Sequence, residues 1–202
     1  MPRKERECLP DRTYHVFSRC IEKRDLMRDD FMRDLMEQVL AMTKNKYKFK
    51  LNHWSILPDH FHFLIQTVKN GATISRIMQY IKARYAEKYN KLMGRTGPFW
   101  NERFGDRIVE HAKNPALYLL TLLIYLAYNA VRKKLVSNPR KYKYCSINAY
   151  LDRNYKSKVK ITLHPYFLRL GNTFEECVKR LLEFEEGYRK RLSCIFENLA
   201  MV

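Results

Sequence analysis

Alternating apolar residues and stretches with a three-to-four-residue period divide the chain into a regular succession of elements. Residues 14–20 are rich in β-formers and predict a first strand. Residues 29–46 follow a helical period, with Asp29 or Asp30 as cap and Phe31, Leu35, Val39 and Met42 as the inward stripe. Residues 49–57 and 60–67 read as two strands joined tightly by Pro58 and Asp59, which makes a hairpin. Asn70 and Gly71 turn the chain, and Thr73 caps a helix that buries Ile74, Ile77, Met78, Ile81 and Tyr85. Residues 94–98 break that pattern, and residues 106–110 predict a short fourth strand. Asn114 and Pro115 open a helix expected to reach about residue 135, stopped by Asn138 and Pro139. A basic connector, residues 140–143, follows. Thr173 to Glu176 form a capping box for a last helix with Phe174, Val178, Leu181, Leu182 and Tyr188 inward.

The order strand, helix, strand, strand, helix, strand matches the ferredoxin-like split βαβ motif. The expected fold class is therefore α+β. An antiparallel sheet carries helices on one face, an added helix (residues 114–135) packs elsewhere, and residues 153–202 form a helical tail beyond a domain of residues 1–152.

Composition narrows the partners. The chain has 202 residues, of which 46% are hydrophobic, enough for one sizeable core. Lys and Arg outnumber Asp and Glu by 39 to 21, a net charge of +18. So large an excess points first to nucleic acid and second to an anionic membrane surface. Five widely spaced cysteines without a Cys-x-x-Cys pair argue against a disulfide framework or zinc knuckle and fit a reducing cytoplasm. The first residues lack the apolar core of a signal peptide. The uncharged run at 115–131 contains several tyrosines and reads as a buried helix rather than a membrane span, so no membrane role is expected.

The sharpest chemical feature is His60-Phe61-His62 on the third strand. Side chains alternate along a strand, so His60 and His62 share a face about 6–7 Å apart and can converge on one metal ion. Gln66 shares that face but lies about 13 Å beyond His62, out of reach. The helix from Asn114 is apolar nearly all round, except for a stripe of Tyr118, Thr121, Tyr125, Asn129 and Arg132. The Asn129 carboxamide can ligate a hard cation such as Mg²⁺ or Mn²⁺. Tyr125, one turn away, can reach a phosphate held on that cation and act as a nucleophile. Tyr128 is the rival nucleophile. No Gly-rich phosphate loop, His-Glu-x-x-His or Gly-x-Ser-x-Gly motif occurs.

These residues resemble a known family. Pro58, Asp59 and the His60–His62 pair on a strand, with Tyr125 on a later helix, resemble the single-tyrosine HUH transposases, and within them the REP-associated tyrosine transposases. Residues 14–19, 97–104, 125–132 and 144–151 resemble further family segments, and the likeness runs from about residue 12 to 152. The resemblance implies nicking of single-stranded DNA beside a hairpin, a 5′-phosphotyrosine intermediate and Mg²⁺ or Mn²⁺. It gives Tyr125 the nucleophile's role and His60, His62 and Asn129 the ligands' role; no organic cofactor is implied. It also implies residence with the nucleoid in the cytoplasm. It admits a homodimer, although no interface is legible. Two positions depart from the pattern: Asp59 stands for a common asparagine and Ala130 for a proline.

The basic residues Arg84, Arg95, Arg103, Arg107, Arg132 and Lys133 are candidates for phosphate contacts. Tyr80, Tyr85, Phe99 and Trp100 are candidates to stack on unpaired bases. Two other classes compete. A non-catalytic module that keeps the fold would bind hairpin DNA or RNA without cutting it. A phosphodiesterase would use water in place of Tyr125.

Overall fold

The computed structural model describes residues 6–199, and side chains for residues 6–190. Four strands form one sheet: β1 (Thr13–Arg19), β2 (Lys50–Ile56), β3 (His60–Gln66) and β4 (Gly105–Ile108). Their order is β2-β3-β1-β4, with every neighbouring pair antiparallel. Helix α1 (Asp30–Lys46) connects β1 to β2, and α2 (Ile74–Leu92) connects β3 to β4. Each crossover skips a strand, which is the split βαβ arrangement expected from the pattern.

Register assigns the two faces. Phe17 lies opposite His62, and Arg19 opposite His60. Ser55 on β2 and Gly105 on β4 join the same face. The other face carries Tyr14, Val16, Phe61 and Phe63, all fully buried. There Trp100 meets Phe61 and Tyr85 of α2, and the Tyr85 hydroxyl donates to the Met32 carbonyl of α1 at 3.0 Å. A bulge between Leu51 and His53 shifts the β2 register.

The stripe of α1 is rotated from the expected one. Phe31 and Met42 are exposed, while Met32, Leu35, Met36, Val39, Leu40 and Thr43 are buried. Spacing alone admitted either phase, because apolar residues occur on both flanks of the helix.

The helix after Asn114 packs over the His60 and His62 face. It is shorter than expected. α3 (Pro115–Ala127) ends at Tyr128, and a separate turn, α4 (Asn129–Arg132), follows. Asn114 caps α3 by accepting from the Leu117 N–H at 3.1 Å. Lys134 takes a left-handed backbone with φ 56°, and Leu135 N–H returns to the Ala130 carbonyl at 2.9 Å. That is a Schellman stop, several residues before Pro139.

Two further helices complete the chain, α5 (Pro165–Leu168) and α6 (Phe174–Leu199). The capping box of α6 is modified: Thr173 accepts from Glu176 N–H, while the Glu176 carboxylate reaches Asn172 N–H at 2.7 Å. Val159, Phe167, Cys177 and Leu181 belong to the same buried cluster as the sheet. Leu182, expected inward, is exposed. The outer edge of β2 is covered: Ile56 N–H bonds Tyr144, Trp54 N–H bonds Ser146 Oγ, and Thr162 N–H bonds Leu51. Cys8, Cys20, Cys145 and Cys177 are free thiols. The side chain of Cys194 lies outside the described residues. Among the described residues, no helix is long and apolar enough to cross a membrane.

Candidate active site

A cavity of about 980 Å³ lies between the sheet and α3. His60 and His62 form its floor, and Tyr118, Thr121 and Tyr125 form one wall. The polar stripe of an otherwise apolar helix thus faces the histidine pair. Tyr125 is 39% exposed, open to a ligand in the cavity.

The two imidazoles lie close together, with ring centroids 5.0 Å apart and planes at 89°. His60 Nδ1–H donates to Asp59 Oδ1 at 2.6 Å, which fixes the orientation of the ring. His62 Nδ1 lies 3.0 Å from His15 Nε2. A free His62 Nε2 requires that His62 donate this bond. Burial, then neighbouring positive groups, holds the His62 pKa well below its ordinary value, so the ring is neutral. Burial also lowers His15 to about 4. In both rings Nδ1 is the nitrogen engaged by a neighbour, so Nε2 is the nitrogen left for a ligand.

Asp59 is almost fully buried. Burial opposes its charge, but hydrogen bonds from His60 and from Lys133 Nζ, the latter at 2.5 Å, outweigh that and hold its carboxyl well below the usual range. Arg19 Nε stands 3.7 Å from its other oxygen. Lys133, a candidate phosphate contact by sequence, is instead tied to this carboxylate. Arg132 is occupied too. It donates to the Asn129 side-chain oxygen and to the Tyr125 carbonyl, the latter at 2.8 Å, and its guanidinium lies over the Tyr125 ring at 4.2 Å.

Asn129 is buried. Its oxygen is held by Arg132, and its Nδ2 has no hydrogen-bond partner. The break at Tyr128 places it in α4, so it does not continue the α3 stripe. Among the described residues, no group of three or more His, Cys, Asp and Glu could hold a metal ion. A cation here would take His60 and His62 from the protein, plus an oxygen from Asn129 or from a bound phosphate. Two imidazoles oriented by their own hydrogen bonds fit such an ion.

Tyr128 faces away from the cavity. Its hydroxyl donates to Glu185 Oε1 of α6 at 2.8 Å, and Arg140 pairs with Oε2 at 2.6 Å. Burial and then Glu185 push its pKa up to about 12.

Arg103 and Arg107 line the cavity. Arg84 and Arg95 sit on and just beyond α2, across the sheet; Arg84 pairs with Glu87, and Arg95 donates to the Pro98 carbonyl. The aromatic candidates for base stacking are structural. Tyr85 and Phe99 are buried and pack with Trp100, and Tyr80 packs edge-on against Tyr47. Sequence reasoning passed over His15, Arg19 and Arg6 as site residues. The period-2 alternation of β1 puts His15 and Arg19 on one face, but only strand order puts that face beside His62.

These features define an α+β split βαβ fold with a paired-histidine site. Residues 8–117 match the family model of IS200-like transposases, more than half of the chain, and the chain belongs to that family. No match was found among curated proteins. The fold is similar to the solved structure of a REP-associated tyrosine transposase bound to a REP hairpin, with a TM-score of 0.62 at 16% identity, covering 82% of this chain and 96% of that one. A transposase candidate from Deinococcus radiodurans R1 matches with a TM-score of 0.36 at 17% identity, over 52% of this chain and 85% of that one.

Proposed function

We propose that this transposase nicks and rejoins single-stranded DNA beside a hairpin, with Tyr125 as nucleophile. The observation that carries this reading is that one cavity is lined by His60, His62 and the exposed Tyr125. The Tyr125 oxygen attacks the scissile phosphorus, the P–O3′ bond breaks, and a 3′-hydroxyl leaves. The DNA stays attached as a 5′-phosphotyrosine ester, so rejoining by a second 3′-hydroxyl needs no nucleotide cofactor. His60 and His62 would hold Mg²⁺ or Mn²⁺, and Asn129 would be the protein's third donor once Arg132 released its oxygen. When bound, such an ion would neutralise charge on the phosphate. Asp59 fixes the His60 tautomer, and His15 fixes that of His62. Arg103 and Arg107 hold the strand by its phosphates. The hairpin as partner is supported by the similar protein's complex, and DNA as partner by the +18 charge.

The test is a covalent protein–DNA adduct on labelled single strands with Mg²⁺ or Mn²⁺. Tyr125→Phe should abolish it and Tyr128→Phe should preserve it. An adduct that survives Tyr125→Phe removes the assignment. One observation favours a second reading, binding without cleavage: Arg132 already holds the Asn129 oxygen. Salt-sensitive hairpin binding with no adduct under either metal would select it.

A further inference from the structure

The turn that follows β1 contains two consecutive left-handed residues, Glu22 at φ 54° and Lys23 at φ 57°. Residues with a Cβ take this conformation only at a cost, and glycine or asparagine would be the ordinary occupants. The flanks explain why it persists. Cys20 N–H bonds the Asp59 carbonyl at 2.7 Å, Ile21 N–H bonds Phe99 at 2.9 Å, and Met27 N–H bonds Pro58 at 2.7 Å. Cys20 and Met27 are fully buried. The chain must reverse between these fixed points, and Lys23 N–H to Cys20 and Arg24 N–H to Ile21 close the reversal. Strain that is over-determined by its surroundings often marks a functional position.

The side chain that this turn presents is Lys23, which lines the same cavity as His60, His62 and Tyr125. Arg19 closes β1 opposite His60, so Lys23 enters at the His60 end. Two other cations of the cavity are engaged: Arg6 bonds Asp106 and the Phe104 carbonyl, and Arg19 stands near Asp59, so Lys23 joins Arg103 and Arg107 as a charge on the wall. Among the described residues, no carboxylate pairs with Lys23, and Glu102 is the single acidic residue of the cavity wall.

We infer that Lys23 is a strand-positioning residue, whose ammonium binds a phosphate of the single-stranded nucleic acid entering the cavity, held there by the left-handed turn. The inference rests on the reading that this cavity takes a nucleic-acid strand. It does not require cleavage.

The test uses the full chain in EDTA and a fluorescein-labelled oligothymidine, with anisotropy read across a sodium chloride series. Each phosphate neutralised on a single strand contributes about 0.7 to the slope of log affinity against log salt. Lys23→Asn tolerates the left-handed backbone and removes the charge. Its slope should be shallower by about 0.7, and Lys23→Arg should restore it. Lys23→Gly should lose the same slope while its Tm rises, because the strain is gone; this variant folds at least as well as the parent. An unchanged slope in both Lys23→Asn and Lys23→Gly overturns the inference. If the parent protein forms no adduct but the slope still falls, Lys23 stands and the nicking reading fails. If the parent shows no salt-dependent binding at all, both fail.

Discussion

Asp59 serves two elements with one side chain. It accepts from His60 on β3 and from Lys133 beyond α4. Removing it frees the His60 ring and leaves Lys133 without its partner. Loss of a carboxylate that orients a ligating histidine costs about 10–100-fold in metal affinity. Asp59→Ala should therefore weaken Mn²⁺ binding by that order, as read by titration calorimetry. Wild-type affinity in that variant would sink the orienting role. Tyr128 belongs to a different account. Its hydroxyl satisfies the buried Glu185, so Tyr128→Phe should cost about 1–2 kcal/mol of unfolding free energy in urea. No loss of stability would mean that Arg140 alone satisfies Glu185.

At the scale of elements, β4 is short but sets one side of the floor. Gly105 lies opposite Phe17, and a Cβ there would come within 2.4 Å of the Phe17 ring. That ring covers the glycine and stands 5.7 Å from His62. Gly105→Ala should push this exposed ring aside at little cost in stability and shift the His62 resonances in a proton–nitrogen spectrum. Unaltered His62 signals would show that the ring does not support the histidine. The break between α3 and α4 works at the same scale. Arg132 spans the break by holding both the Tyr125 carbonyl and Asn129.

The whole molecule joins the strands of the split βαβ unit to the chain that follows α4 through buried polar contacts. His53 is sealed under Ser146, whose Oγ lies 2.7 Å from Nδ1. His164 sits 2.9 Å from the Thr13 hydroxyl. Burial lowers His53 to about 3 and His164 to about 4, from an ordinary 6.5. The unfolded chain takes up these protons near 6.5, whereas the folded chain resists them. Their contribution is present above about pH 6.5 and is lost progressively as pH falls toward 4. The urea midpoint should drop between pH 7 and pH 5. A midpoint that rises on acidification would place the rings in a charged state instead.

Much of this architecture was written in local pattern. The β2–β3 hairpin, the caps at Thr73 and Asn114, and the shared face of His60 and His62 follow from backbone geometry within a few residues. Such signals need no distant partner. The phase of α1 did not follow, because Phe31 and Met32 are equally apolar and only the packing against the sheet selects between them. Nor did the fate of the cations. Arg132 and Lys133 look alike on paper, yet one grips Asn129 and the other Asp59, more than seventy positions away.

The sequence by itself determined the order of the elements and which residue types could do chemistry, since periodicity and spacing act over a single strand or helix. Tertiary structure alone decided that His15 backs His62 and that Lys23 reaches the cavity. It also decided that Tyr128 is tied to Glu185 of α6. Strand order and the break at Tyr128 bring these groups together. Both are settled by burial of surfaces far apart in the chain, and so leave no local mark.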